Sequence, residues 1–321
     1  MSRCLNRREL LKYPMAVSIG WVGAQLASND ALAIDYTKPV PGSEKLTVYH
    51  NNSQVLARWN NMPLTAYRAH HTQKHPYFYP VNGPVSRVSL TSESALPYPH
   101  HRGLWLGCQP LNGGDYWNAA GPLDNGQIRS VELKLGETTA NSAVILNCCN
   151  WVRKDAPSPL HGERKFTISI PNDRMWFLDC QFKLTAQQDI TITEAKHSFF
   201  AMRAASDISP TYGGVLMNSE GGIGAKGTYG KEARWCGYHG KRAARPDVVE
   251  GIAIMTHPNN PWRPIWFTRD YGHLSPSPFN FLDKPWQFDK GESILLRYRV
   301  VLHAGTPAEA QLNRLYEQWA G

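Results

Sequence analysis

The stretch of sequence that decides the fold class is residues 128–135, which read Ile128-Arg129-Ser130-Val131-Glu132-Leu133-Lys134-Leu135. Apolar and polar side chains alternate along it, and a period of two places the apolar side chains on one face of a β-strand. Residues 165–170 alternate in the same way, which predicts a second half-buried strand.

The remaining strands are predicted from runs rich in β-branched and aromatic residues. These are residues 143–152, 174–184, 190–202, 248–256, 265–268 and 294–303. We expect 174–184 and 190–202 to form a long hairpin around 185–189. Gly (26) and Pro (23) are frequent, as suits many short strands joined by turns.

Only one helix is convincing, at the carboxyl end. Thr306-Pro307-Ala308-Glu309 is a capping box with proline at the first helical position. Leu312, Leu315, Tyr316 and Trp319 then recur at helical spacing. No helices alternate with the strands, so we predict an all-β fold: a large antiparallel β-sandwich with a short C-terminal helix. The glycine-rich residues 213–240 are predicted to form a long, functional loop.

The first 33 residues have the parts of a twin-arginine export signal. Arg7 and Arg8 precede an apolar run over 13–27, and Ala31-Leu32-Ala33 is a small-x-small cleavage site. We therefore expect a signal peptide at 1–33, a single β-sandwich domain at 34–321, and a periplasmic or secreted protein. The alternative is an N-terminal core helix with incidental arginines.

Composition excludes several classes of protein. Hydrophobic residues make up 42% of the chain and charged residues 19%, which is unlike a disordered protein. The formal charge is +8, but the basic residues are dispersed, so nucleic-acid binding is unsupported. No run of about 20 apolar residues follows the signal, so no membrane span is expected after its removal. Six cysteines are too few for a disulfide scaffold of this length, and their pairing stays open.

Candidate catalytic residues lie in polar clusters at predicted loop–strand junctions. A His-His-Arg group brings imidazoles and a permanent cation together, which suits proton transfer or anion binding. A carboxylate in a glycine-rich loop could act as a base or a metal ligand. The candidates are His100, His101, Arg102, Glu220, His239, Arg269 and Tyr271.

Candidate substrate-binding residues lie near these clusters, where aromatic rings beside polar groups suit a sugar. They are His70, His71, Asp115, Trp117 and His197. Each of these groups could instead be structural, as a core histidine, a solvated carboxylate or a packed tryptophan. No Cys-x-x-Cys or His-Glu-x-x-His motif is present, so a metal or other cofactor stays unassigned, although histidines from separate strands could still assemble a metal site.

An ordered set of short motifs resembles the family known as PmoA-like. It includes Pro99-His100-His101-Arg102-Gly103, Pro210-Thr211-Tyr212-Gly213-Gly214, Asn218-Ser219-Glu220-Gly221-Gly222 and Arg269-Asp270-Tyr271-Gly272. The resemblance covers residues 45–305. The family name refers to a membrane-embedded methane monooxygenase subunit, but this sequence has no spanning segments, so we carry over no oxygenase activity.

What the resemblance implies is a β-sandwich of bacterial carbohydrate catabolism, similar to the galactose mutarotase supersandwich. Enzymes of that type use a carboxylate base and histidine acids on a concave sheet face. The leading hypothesis is an exported carbohydrate-active enzyme, an epimerase, lyase or hydrolase acting on a sugar or oligosaccharide, which could be oxidised or uronic. His100 or His101 would be the general acid or a ligand, Arg102 the anion or oxyanion partner, and Glu220 the base. The alternative is a non-catalytic carbohydrate-binding protein.

Overall fold

The structure, a computed structural model, describes residues 45–321. The predicted signal at 1–33 lies outside these residues. In chain order the strands are β1 (Leu46–Asn51), β2 (Gln54–Trp59), β3 (Met62–Arg68), β4 (Tyr77–Val81), β5 (Leu104–Gln109), β6 (Gln127–Thr138), β7 (Ser142–Val152), β8 (Leu160–Asn172), β9 (Met175–Ala186), β10 (Ile190–Ile192), β11 (His197–Arg203), β12 (Val215–Asn218), β13 (Trp235–Arg242), β14 (Arg245–Thr256), β15 (Phe267–Thr268), β16 (His273–Ser275), β17 (Trp286–Phe288) and β18 (Ser293–Ala304). The helices are α1 (Gly224–Thr228) and α2 (Leu312–Ala320).

Sixteen of these strands form two antiparallel sheets that pack on each other as a sandwich. The first sheet has the order β1-β2-β3-β4-β5-β11-β16-β15, and the second β12-β13-β14-β18-β9-β8-β7-β6. β10 and β17 form a small separate ladder. Side chains from both sheets, among them Leu104, Phe200, Phe182 and Tyr298, fill one shared hydrophobic core. The predicted all-β sandwich with a short C-terminal helix is thereby confirmed.

The predicted hairpin of 174–184 with 190–202 is wrong. β9 belongs to the second sheet, where it pairs with β8 and β18. The chain then crosses over, and β11 pairs with β5 and β16 in the first sheet. Both segments have strand composition, but composition carries no information about which partner a strand takes.

Two further boundaries differ from the sequence-based expectation. The capping box forms, since the Thr306 amide donates to Glu309 Oε2 at 2.7 Å. The helix itself begins only at Leu312, because Gln311 has a left-handed backbone with φ of 54°. The supposed loop 213–240 contains β12, α1 and the start of β13.

The strand predicted over residues 128–135 differs from its sequence pattern in which side chains it buries. β6 exists, but it is an edge strand with two irregularities in its pairing with β7. Val131 and Leu135 are consequently exposed rather than buried. Within the described residues, neither helix has the length and apolar character needed to cross a lipid bilayer.

A buried ionic brace fastens the first sheet to the second. Glu250 on β14 is fully buried, and its Oε1 accepts hydrogen bonds from the Val85 and Ser86 amides at 2.7 and 2.8 Å. Arg242 Nη1 lies 3.8 Å from this carboxylate. A Cβ at position 83 would collide with it, so only glycine fits there. The loop after β4 is thus held against β13 and β14.

The brace predicts a large effect of Glu250→Ala. The change leaves the Val85 and Ser86 amides without their acceptor and removes one of the two carboxylates beside the Arg242 guanidinium. We therefore expect a loss of about 3–5 kcal/mol in unfolding free energy. Glu163→Ala is the control, since Glu163 pairs with Lys183 at 2.8 Å on the surface and should cost about 1 kcal/mol or less. Urea denaturation measures both; equal losses would contradict the brace.

Candidate functional site

The candidate site lies on the face of the first sheet that is turned away from the second. Along β5, Leu104 and Leu106 point into the shared core, whereas Trp105 between them belongs to a separate cluster. Along β11, Met202 is in the core and Ala201 is in the separate cluster. Trp105 and Ala201 are register partners, so alternation brings this second set together on the outer face.

Four histidines meet on this face, and we call them the imidazole cluster: His100, His101, His197 and His273. The rings of His101 and His273 stack with centroids 4.6 Å apart. His100 packs edge-on against His101 at 4.5 Å and against His197 at 5.9 Å. Residues up to 173 positions apart in the chain therefore share one site.

Strand register explains why these residues converge. His273 on β16 is the direct partner of Arg203 on β11, and His197 at the start of β11 is the partner of Gln109. The Arg203 amide in turn donates to Gly103 O at 2.8 Å, just after the His100-His101 pair. The small side chain of Ala201 leaves room above the sheet for the larger rings.

Aromatic side chains surround the cluster on two sides. Trp105 and Trp117 are buried beneath it, with Trp105 stacked on His101 at 5.4 Å and Trp117 on His197 at 5.5 Å. Tyr98 and Tyr271 lie over His101 at 5.5 and 6.3 Å and contact each other at 4.8 Å. Trp117 therefore packs inside the site, and Tyr98, 37% exposed, is the ring open to a ligand.

The buried imidazoles are neutral at neutral pH. Desolvation lowers the pKa of His101 and His273 well below the usual range. Repulsion from His273 lowers the pKa of His101 further, and repulsion from His197 and Arg203 lowers that of His273 further. Burial lowers the pKa of His197 to about 4, with repulsion from Lys196 and His100. The pKa of His100 is also lowered, chiefly by burial and against the attraction of Asp115.

Hydrogen bonds define which nitrogen carries the proton in two of these rings. Arg203 Nη1 lies 3.3 Å from His101 Nδ1, and because a guanidinium only donates, the Nδ1 of His101 is the acceptor. His197 Nδ1 lies 3.3 Å from Gln109 Oε1, so it donates to that amide oxygen. Neutral His197 therefore has its Nε2 lone pair free to accept a proton.

Several buried polar atoms at this face have no hydrogen-bond partner among the described residues. They are His75 Nδ1, Trp105 Nε1, Trp117 Nε1 and His273 Nδ1. His75 stacks on Trp105 at 6.2 Å and donates through Nε2 to Trp117 O at 3.2 Å. Buried polar groups are rarely left unpaired, so a group of them in one place is typical of a functional site.

A polar cavity of about 600 Å³ borders the cluster. It shares Gln109 and Asp115 with the site and is otherwise lined by polar and charged groups such as Asp124, Arg153 and Asp155. Its volume is in the range of small-molecule sites. A cavity of similar volume, about 580 Å³, lies against α2 without any of the imidazoles, so volume alone does not locate the site.

Some predicted residues lie at the border of the cluster. Asp115 is fixed by the amides of Trp117 and Asn118, which donate to its Oδ1 at 3.0 and 2.9 Å. Arg102 lies 3.4 Å from Glu93, so its charge has a partner. Arg269 donates to Thr268 O at 2.9 Å and packs over Phe267.

The structure does not bring Glu220 or His239 to the cluster. Glu220 is exposed, and its carboxylate interacts with Ser219 at 2.7 Å and with Arg234 at 3.6 Å. His239 lies on β13 of the second sheet beside His303, above Gly251, where a Cβ would come within 2.6 Å of the His303 ring.

His70 and His71 are also separate from the cluster. Both are exposed, pack against each other at 4.1 Å, and His70 Nδ1 contacts Thr72 Oγ1 at 2.8 Å. Conversely, the candidates drawn from the sequence lack Arg203 and Tyr98. Tyr98 directly precedes the Pro99-His100-His101 motif, whereas Arg203 is next to no motif. Only the pairing of β5, β11 and β16 shows that these residues meet.

No group of three or more His, Cys, Asp or Glu side chains within residues 45–321 has the arrangement to hold a metal ion. The five cysteines of this part of the chain are free thiols. Cys149 is buried and its neighbour Cys148 half-buried, as expected for adjacent positions on opposite faces of β7.

Comparison with known proteins identifies the family. The model of a family of unknown function, DUF6807, matches residues 46–317. The chain belongs to DUF6807. No curated protein matches the sequence.

Solved structures with similar folds are distant from this DUF6807 protein. A protein described as an aldose 1-epimerase from Klebsiella pneumoniae is 9% identical, with 86% of this chain and 87% of that one covered and a TM-score of 0.41. A galactose mutarotase related enzyme from Lactobacillus acidophilus is 8% identical (81% and 98% covered, TM-score 0.25). A protein described as a kojibiose phosphorylase from the human microbiome is 8% identical (87% and 32% covered, TM-score 0.30).

The cluster predicts a pH-dependent stability. Below about pH 6.5 the unfolded chain protonates histidines that the folded chain keeps neutral, so the unfolding free energy should fall from pH 7 to pH 5. His273→Gln should flatten this slope because the pKa of His273 is strongly lowered by burial. His50→Gln, at an exposed site, is the control. Urea titrations at each pH measure the slopes; an unchanged slope for His273→Gln would contradict the assignment.

Proposed function

We propose that this protein is an exported carbohydrate-active enzyme whose imidazole cluster performs acid/base chemistry on a sugar or oligosaccharide. The reaction would be an epimerisation, a β-elimination or a hydrolysis, each of which moves a proton at a sugar carbon or oxygen. The observation that carries the proposal is the free Nε2 of neutral, half-buried His197, oriented by Gln109 through its other nitrogen. A neutral imidazole held in one tautomer is suited to be a general base.

Tyr271 would be the general acid, which donates a proton to the substrate while His197 accepts one. Burial raises its pKa to about 12, so the phenol stays protonated at neutral pH and can donate. Its ring lies between Tyr98 at 4.8 Å and the Arg203 guanidinium at 4.6 Å. A protonated phenol and a neutral imidazole in one cluster form an acid/base pair at the same pH.

Two features favour a sugar as the substrate. Tyr98 offers a partly exposed ring for the apolar face of a sugar. The adjoining cavity is lined by amide, carboxylate and guanidinium groups, which suit several hydroxyls. The motif resemblance to PmoA-like proteins of carbohydrate catabolism points to the same class, and it remains part of this proposal.

Turnover by matched variants tests the proposal. We expect His197→Gln to lower kcat/KM by at least about 100-fold, because the general base is lost, while sugar binding is retained. Glu220→Gln should leave turnover unchanged, because that carboxylate interacts with Ser219 and Arg234 instead of the cluster. Mutarotation, release of reducing ends and ultraviolet absorbance of an unsaturated product cover the three reaction types over a sugar panel.

Two results would contradict this assignment. Loss of turnover in Glu220→Gln with full activity in His197→Gln would show that Glu220, and not His197, is the general base. Sugar binding without turnover of any panel member would instead favour a non-catalytic carbohydrate-binding protein.

Export is the remaining part of the proposal, and it rests on the signal-like residues 1–33. Expression of the full chain in a bacterium with an intact twin-arginine pathway should yield periplasmic protein that begins at Ile34. Arg7→Lys combined with Arg8→Lys should abolish this, because the pathway reads the paired arginines. Amino-terminal sequencing of the periplasmic fraction decides it; uncleaved protein in the cytoplasm would reject export.

A further inference from the structure

Arg203 is a buried cation without an acidic partner. Its side chain is only 4% exposed, and no carboxylate within residues 45–321 lies within 4.0 Å of its guanidinium. Its contacts are His101 Nδ1 at 3.3 Å and the face of Tyr271 at 4.6 Å. Both partners are uncharged at neutral pH, so the positive charge is not compensated.

This arrangement contrasts with that of Arg242, one of three other arginines buried within residues 45–321. Arg242 is 1% exposed, donates to Asp207 at 3.0 Å and lies 3.8 Å from Glu250. Buried charges in proteins are normally paired, because removing an ion from water costs several kcal/mol. Arg203 is therefore a buried cation that a ligand anion could neutralise.

We propose that the Arg203 guanidinium binds the carboxylate of an acidic sugar, a uronic acid unit. This inference rests on the proposed function and names its substrate class. The ligand carboxylate would compensate the buried charge and would place the neighbouring sugar carbon beside the imidazole cluster. The acidic α-carbon of a uronate is the position from which a general base removes a proton in epimerisation or β-elimination.

A ligand reaches Arg203 from the side that Tyr98 and Tyr271 cover. Tyr98 is at the tip of the loop 94–101, whose neighbour Leu96 is 82% exposed. The loop is closed at its base by the Ser94 amide, which donates to His101 O at 2.9 Å. A ligand would enter by displacing the Tyr98 ring from Tyr271, whose own ring lies over the guanidinium.

The chemistry favours a carboxylate over a phosphate. One planar guanidinium fork matches one carboxylate bidentately, whereas phosphate sites commonly add further cations or backbone amides. The next arginine, Arg269, already donates to Thr268 O and packs between Phe267 and Tyr229 at 4.1 and 4.6 Å. A single available guanidinium thus suits a singly charged group.

Calorimetric titration of the full chain tests this inference. The probes are D-glucuronate, D-galacturonate and D-mannuronate, each against its neutral counterpart glucose, galactose or mannose, with glucose 6-phosphate as the phosphate arm. We expect one uronate to bind at least tenfold more tightly than its neutral counterpart. Arg203→Met should remove that difference, and Arg203→Lys should retain part of it.

The stability of Arg203→Met without ligand distinguishes a binding role of Arg203 from a structural role. An unpaired buried charge replaced by methionine of similar shape should leave the melting temperature unchanged or raise it. Arg164→Met is the matched control for binding: Arg164 is also buried, but it lies between the sheets against Phe182 and Tyr67. That variant should bind the uronate as the parent chain does.

Three outcomes would overturn the inference. They are equal affinity for uronates and neutral sugars, an unchanged preference in Arg203→Met, and tighter Arg203-dependent binding of glucose 6-phosphate than of any uronate. If neutral sugars are bound and turned over without a uronate preference, only this inference falls and the proposed function stands. If no sugar of either kind is bound, both fall.

Discussion

The close packing of four imidazoles against a carboxylate-free guanidinium is the constraint on which the site depends. Burial makes protonation of these rings unfavourable. A protonated ring would also be repelled by the positive charge of Arg203 and by any second protonated ring. The imidazole cluster therefore stays neutral, and the permanent positive charge in contact with it is that of Arg203. Neutral bases beside one cation are the composition that acid/base chemistry on an anionic substrate requires.

The fold supports this cluster by separating two faces of one sheet. Residues such as Leu104 and Met202 hold the first sheet to the second, while Trp105 and Ala201 between them leave the outer face for the site. The Glu250 brace joins the loop after β4 to the second sheet. The site can carry unpaired polar atoms because its scaffold is stabilised elsewhere.

The sequence predicts local features well and long-range pairing poorly. The strands, the all-β class and the His100-His101 motif follow from alternation and composition within short windows. The meeting of His101 with His273 depends on the register of β5, β11 and β16, which no local pattern contains. For the same reason local patterns alone place Glu220 and His239 with His100 and His101, although Glu220 follows β12 and His239 lies on β13, both in the second sheet. The hairpin error at β9 and β11 has this cause too.

A crystal structure of the full chain soaked with the uronate that binds most tightly tests the central claim most directly. The account predicts the sugar on the outer face of the first sheet, with its carboxylate within hydrogen-bond distance of Arg203, its ring against Tyr98 and a carbon-bound hydrogen facing His197 Nε2. A sugar bound beside Glu220, against α2 or next to His239 and His303 would contradict it.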